Sequence, residues 1–320
     1  MNKGRVMRFS GFFSSGKPVC LAVLCFAVFF TACLGQTAAY EYSPAAEPEI
    51  SSAERIMTAL AAAYPNRISP AEYRDGDWAF LLDGRWFFYA ERRILPEELL
   101  YRINAYTPMR FNQNYLENLP PWEEVQAAWV ERTRRQEEAR ASGQLPVRDG
   151  RPRPQHFLEA LWESPNRNEA LSQQVTVEFL GFGLRIHSGI AGKIKRVEEI
   201  ILTEAQTNPE LRQWIASLGS IAGWNWRNIG GSQNRSLHSY GIAIDILPRN
   251  LNGLATYWAW SEQWWDIPFT GRWNPPDEVI YAFESFGFVW GGKWLHHFDT
   301  MHFEYRPEVF ILSGVPMSNF

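Results

Sequence analysis

Apolar residues recur at helical spacing over Ala53–Ala63, and two apolar runs, Trp78–Leu82 and Arg85–Tyr89, flank an Asp83-Gly84 pair. Runs of this kind around Asp-Gly predict a β-hairpin, because both turn residues must take positive φ and Asp and Gly tolerate it. Pro96 to Ile103 reads as a helix start with proline in its first turn. Trp122 to Ala141 is charged and helical, and Val175 to Ile186 alternates loosely like a strand. Ile190 to Ala205 carries Ile194, Val197, Ile200 and Ile201 at helical spacing, and Pro209 to Leu218 is expected to form a further helix. No internal repeat is found.

From Ile221 the pattern changes to short strands and turns. Gly241 to Leu247 reads as a buried strand, with Ala243 and Asp245 on one face and Ile242, Ile244 and Ile246 on the other. Asp277 to Phe286 has an apolar stripe (Val279, Ile280, Phe283, Phe286) and ends at Gly287, which predicts an amphipathic helix. Phe288–Trp290 and Met301–Tyr305 complete the strands. The fold class expected from this pattern is α+β.

Composition narrows the reading. With 320 residues and 46% hydrophobic content, the chain can bury one large core or two modest ones. The 15% aromatic share, with 15 Trp, is assigned mainly to core packing. A formal net charge of -4 argues against a nucleic-acid partner.

The first residues follow a different logic. Lys3, Arg5, Arg8 and Lys17 precede an apolar run from Val19 to Phe30 and the small residues Thr31-Ala32. This is the layout of a secretory signal peptide, and the run is short for a transmembrane helix. All three cysteines (Cys20, Cys25, Cys33) fall at or before its end, so no disulfide framework is expected in the exported chain. Phe30-Thr-Ala-Cys33 resembles a relaxed bacterial lipobox, which implies a lipid anchor at Cys33; the competing expectation is cleavage after Ala38 or Ala39. Removing residues 1–32 takes away four basic and no acidic residues, moving the net charge from -4 to -8.

The expected organisation is therefore a signal peptide and lipobox (1–33), a tether (34–52), an N-terminal extension of mixed helical and hairpin character (53–160) and a main domain (161–320). Within this frame Gly143 to Pro154, rich in Pro, Gly and Arg, is expected to be an exposed loop.

The candidate chemistry lies in two stretches, Ser236-Leu-His238-Ser-Tyr-Gly241-Ile-Ala243-Ile-Asp245 and Asp299-Thr-Met-His302-Phe-Glu304. A carboxylate inside an otherwise apolar strand is costly unless paired or coordinated, which makes Asp245 informative. His238, Asp245 and His302 together match the ligand set of a catalytic zinc, whose fourth position stays open for water. Gly241 would let the turn after His238 fold back toward Asp245. His302 must then come from a neighbouring strand. Asp299, three residues before His302, is placed to take a proton from the water.

Ser-x-His-x-x-Gly-x-Ala-x-Asp followed by Asp-x-x-His-Phe-Glu resembles the zinc D-Ala-D-Ala metallopeptidase family, which includes VanY-type D,D-carboxypeptidases and L-alanyl-D-glutamate endopeptidases and shares its fold with hedgehog domains. The resemblance covers about residues 185–310. It implies a small antiparallel sheet with flanking helices, one zinc ion per chain on His238, Asp245 and His302, and Asp299 as general base. Trp224-Asn-Trp-Arg227-Asn-Ile-Gly-Gly-Ser232 resembles the segment in which that family keeps an oxyanion-stabilising arginine, which makes Arg227 the candidate. Ser232 and Ser236 are candidates for hydrogen bonding to substrate or ligand, and Glu304 for orienting His302. His296 and His297 are expected to line the cleft or to be structural.

The activity implied is metal-assisted hydrolysis of peptidoglycan stem peptides in the cell envelope or periplasm, either as a D,D-carboxypeptidase or as an L-Ala-D-Glu-type endopeptidase. The alternative is a non-catalytic wall-binding or interaction protein on the same scaffold.

Overall fold

The computed structural model describes residues 53–109, 115–141, 153–230, 233–260, 266–295 and 297–318. The leader, the lipobox cysteine and the tether, Ser232 and His296 lie outside the described residues. Among the described residues, no helix is long and apolar enough to cross a membrane.

The N-terminal part begins with helix α1 (Ala53–Ala63), which buries Ile56, Met57 and Leu60. Strands β1 (Glu72–Arg74), β2 (Asp77–Leu82), β3 (Arg85–Phe88) and β4 (Leu95–Pro96) follow as an antiparallel sheet in sequence order. The hairpin predicted at Asp83-Gly84 joins β2 to β3, and both turn residues take positive φ, 50° and 80°. The segment after Pro96 is not an α-helix. It forms 3₁₀ turns over Glu97–Ala105, with a non-helical break at Arg102 (φ -123°) and no buried residue along them. Without an apolar face to dock, nothing selects the longer α-helical ladder there.

Helix α2 (Trp122–Ala141) forms where charge and spacing predict it, and α3 (Gln155–Leu161) and α4 (Arg167–Ser172) come next. Val175–Ile186 is a hairpin rather than one strand: β5 (Gln174–Phe179) pairs with β6 (Phe182–His187) in an unbroken antiparallel register. The turn at Leu180-Gly181 has φ values of 51° and 82°. Leucine in a left-handed position hides the turn from a composition-based reading.

Helix α5 (Ser188–Ala205) buries Ile190, Ile194, Val197 and Ile201 as one stripe, and α6 (Pro209–Ser217) starts on Asn208, whose side chain accepts from the Leu211 N–H. The second four-stranded sheet carries the candidate site. It consists of β7 (Leu218–Ala222), β8 (Ala243–Pro248), β9 (Phe288–Trp290) and β10 (His302–Tyr305) in the order β7-β8-β10-β9, all antiparallel. The expected small antiparallel sheet with flanking helices is what the chain forms. Ile244, Ile246 and Phe303 pack the inner face. Helix α7 (Asp277–Glu284) backs that face, with Phe283 stacked on Phe303 at 4.1 Å between ring centroids.

Helix α8 (Pro307–Ser313) leaves β10 and packs on α1. One apolar cluster runs through both parts, joining Ile56, Met57, Phe80 and Phe87 to Phe157, Ile194 and Phe283.

Candidate metal centre

Sheet register brings the site together. His302 on β10 is the direct cross-strand partner of Asp245 on β8. Side chains opposite one another on adjacent antiparallel strands project from the same face about 4.5–5.5 Å apart at Cβ. His302 Nδ1 accordingly lies 2.9 Å from Asp245 Oδ1.

His238 arrives from a 3₁₀ turn, Leu237–Tyr240, which is closed by Gly241 in the left-handed conformation (φ 73°). A Cβ on Gly241 would fall 1.9 Å from Gln174 Oε1 and 2.7 Å from the His187 nitrogen, so only glycine permits this reversal. The fold-back places His238 Nε2 at 3.2 Å from Asp245 Oδ2. Nitrogen and oxygen atoms of His238, Asp245 and His302 all lie within 4.8 Å of one another.

Hydrogen-bond partners fix which ring nitrogen faces inward. His238 Nδ1 lies 2.7 Å from the Gly223 carbonyl, which can only accept, so Nδ1 carries the hydrogen. Its Nε2 is left buried without a hydrogen-bond partner and turned toward Asp245. His302 Nε2 faces Glu304 Oε2 at 3.3 Å, which likewise makes that nitrogen a donor and leaves Nδ1 on the Asp245 side. Two imidazole nitrogens thus converge on a carboxylate, and each ring is held at its other nitrogen by an oxygen acceptor. That is the donor set and outer support of a zinc site. Ligand atoms on a tetrahedron with bonds of about 2.0–2.1 Å stand about 3.3 Å apart, close to the 2.9 and 3.2 Å seen here. The residues fit the ion.

Burial and close contacts oppose each other in setting the charges of the group. Burial disfavours the Asp245 carboxylate, but the close approach of His238 and then of His302 outweighs it and holds its pKa well below the usual range. Burial also opposes charging of His302, yet hydrogen bonds to Asp245 and Glu304 outweigh it and raise the pKa to about 10. Glu304 is 1% exposed. Burial would push its pKa up, but Arg153 and then the contact with His302 hold it low.

Asp299 stands on the approach to β10, with Phe298 and Thr300, both fully buried, on either side. Its N–H donates to Gly291 at 3.0 Å, its carbonyl accepts from the His302 N–H at 3.1 Å, and it forms a bridge with Tyr257. A Cβ at Gly291 would fall 2.4 Å from the Asp299 carbonyl, so the loop can close this tightly only over glycine. The half-buried carboxylate is near enough to favour the charged form of His302.

Arg227 is exposed. Its backbone is stapled to the His238 turn: the Ser239 hydroxyl accepts from the Arg227 N–H and donates to the Arg227 carbonyl, both at 2.8 Å. Among the described residues no hydrogen bond or ion pair joins its guanidinium to the three converging side chains. Ser236 is buried as the residue before the 3₁₀ turn, with its N–H donating to the Arg227 carbonyl at 3.1 Å. His297 stacks edge-on against Trp258, 4.8 Å between centroids.

Several contributors carry no signal in the sequence. Gly223 orients His238 through its carbonyl. Ser239 ties the Arg227 loop to that turn. Trp294 lies 5.6 Å from the His302 ring. Arg153, from a stretch expected to be an exposed loop, is only 16% exposed at its side chain and lies 3.6 Å from Glu304 Oε2. The charge of a buried glutamate draws it inward.

Residues 230–305 match the family described as D-alanyl-D-alanine carboxypeptidase. The matched segment contains all three converging residues and Asp299, and supports a hydrolase of the metallopeptidase class. Residues 56–111 match a domain of unknown function. Neither the curated proteins nor the solved structures contain a match to the chain.

Proposed function

We propose that the protein is an exported, lipid-anchored zinc peptidase that cleaves peptide bonds in the stem peptides of bacterial cell wall, as a D,D-carboxypeptidase or an L-Ala-D-Glu-type endopeptidase. The observation that carries this reading is the orphaned, buried Nε2 of His238, aimed with His302 Nδ1 at the Asp245 carboxylate. The match of residues 230–305 to a carboxypeptidase family supports it, and the basic, apolar and small-residue layout of the leader agrees with an envelope substrate.

His238, Asp245 and His302 hold one zinc ion. When bound, zinc supplies the acidity that lets water ionise near neutral pH and draws electron density from the scissile carbonyl. Asp299 takes the proton from the attacking water and returns it to the departing amine, so the carboxylate ends as it began. Arg227, on its stapled loop, pairs with a substrate carboxylate or the developing oxyanion through its planar fork. Cys33 carries the lipid.

Metal analysis of the purified chain together with digestion of muropeptides tests the reading. The wild type should contain one zinc and release products whose masses identify the severed bond. Asp299→Asn should keep the zinc and lose about 10²–10⁴-fold in kcat. A wild type with neither zinc nor hydrolysis would favour the wall-binding alternative instead.

A further inference from the structure

The support of His302 does not stop at Glu304. Glu304 Oε1 accepts from Arg306 Nη1 at 3.2 Å. Arg306 Nε donates to Glu308 Oε1. Glu308 Oε2 in turn accepts from the Tyr64 hydroxyl at 2.9 Å. The side chains of Glu304, Arg306 and Glu308 are 2%, 16% and 5% exposed, and Tyr64 is buried. This line of contacts leaves the His302 ring, passes along β10 and the first turn of α8, and ends just beyond α1.

Its composition gives it direction. Two buried carboxylates alternate with Arg306 between them, and Arg153 lies against the first. An unpaired carboxylate at this depth is strongly disfavoured, so each position depends on the next. A guanidinium can engage one carboxylate through Nη1 and another through Nε in a fixed plane, which an ammonium cannot reproduce. Glu304 is therefore aimed, with one oxygen held by Arg306 and the other facing His302 Nε2. At the far end, burial and then the charge of Glu308 push the Tyr64 phenol well above its ordinary value, so it remains a donor.

The geometry points to Tyr64 and Arg306 as positioning residues of the metal centre: through Glu308 and Glu304 they fix the His302 ring, so a hydroxyl from the N-terminal part tunes metal affinity. This rests on the reading of His238, Asp245 and His302 as zinc ligands. Outer-sphere partners of ligating histidines are typically worth about 10–100-fold in metal affinity.

The test compares the full-length wild type, Tyr64→Phe, Arg306→Met and the double variant. Zinc Kd is measured by competition with a chromophoric chelator, and the melting temperature of each metal-free protein is recorded. Arg306→Met should bind zinc about 10–100-fold more weakly. Tyr64→Phe should weaken it by a smaller factor with little change in metal-free melting. The double variant should be no weaker than Arg306→Met alone, because the line is already cut at that point. Wild-type affinity in Tyr64→Phe, or losses that simply add, would overturn the inference. If Arg306→Met does not fold, the affinity of Tyr64→Phe decides by itself. A wild type that binds zinc but leaves muropeptides intact would sink the peptidase reading while leaving this one standing. A wild type that takes up no zinc would remove the ligand assignment, and this inference with it.

Discussion

Gly241 shows how much of the site depends on single positions. Its φ of 73° closes the His238 turn, and the nearest atoms to a Cβ there belong to Gln174 and to the His187 backbone. Alanine must therefore accept a left-handed conformation and displace backbone as well. Gly241→Ala is expected to destabilise the fold by about 1–3 kcal/mol from the strained conformation alone, read as a lower urea midpoint. It should also weaken metal binding, since His238 Nε2 no longer reaches Asp245. Asp245 was the residue most legible in the sequence, because a carboxylate among isoleucines demands a partner. Ser239, Gly223 and Arg306 were not legible. Their roles come from neighbours distant in the chain, and a serine, a glycine and an arginine are ordinary residues until those neighbours are known.

The elements add a second layer of dependence. Helix α5 begins on His187, whose Nδ1 accepts from the Gly189 N–H at 3.0 Å while Nε2 faces the Trp162 carbonyl at 3.1 Å. Only the neutral ring can do both, with Nε2 donating and Nδ1 accepting. Burial is the main cause that lowers its pKa from the ordinary 6.5, against weaker opposing effects of the Trp162 carbonyl and Glu163. A depressed folded-state pKa gives stability that is fully present above the unfolded value and is lost as pH falls through the folded one. The share of stability owed to His187 should therefore shrink between about pH 8 and about pH 5, read as a narrowing gap in urea midpoint between the wild type and His187→Asn, which keeps an acceptor without titrating.

At this scale the sequence was readable wherever apolar spacing and turn chemistry agreed. Helices α1, α5 and α7 and the Asp83-Gly84 hairpin form where the pattern places them. It failed where one of the two was silent. Leu180-Gly181 lacks the Asn-Gly or Asp-Gly signature of its turn, so β5 and β6 read as a single strand. The turns after Pro96 carry helix-forming residues but no buried face.

For the whole molecule, the N-terminal part and the sheet that carries the candidate site share one apolar cluster. Met57 on α1 is fully buried within it. Met57→Ala should cost about 2–5 kcal/mol. If the cluster is one cooperative body, the loss appears as a single shifted transition, the same by tryptophan fluorescence and by far-UV circular dichroism. Two separated transitions would show that the parts fold independently. The extension expected for residues 53–160 had no catalytic signature of its own, and its link to the site emerges only from packing: Tyr64 meets Glu308, and α1 meets α8.

The direct rung between His302 and Asp245 bears on how firmly any ion bound between them would be held. Two of the three converging side chains are spaced by the ladder of hydrogen bonds rather than by a pliable loop. That spacing holds for as long as the sheet does, so an ion bound there would meet a preset separation on two sides and find give only at the His238 turn.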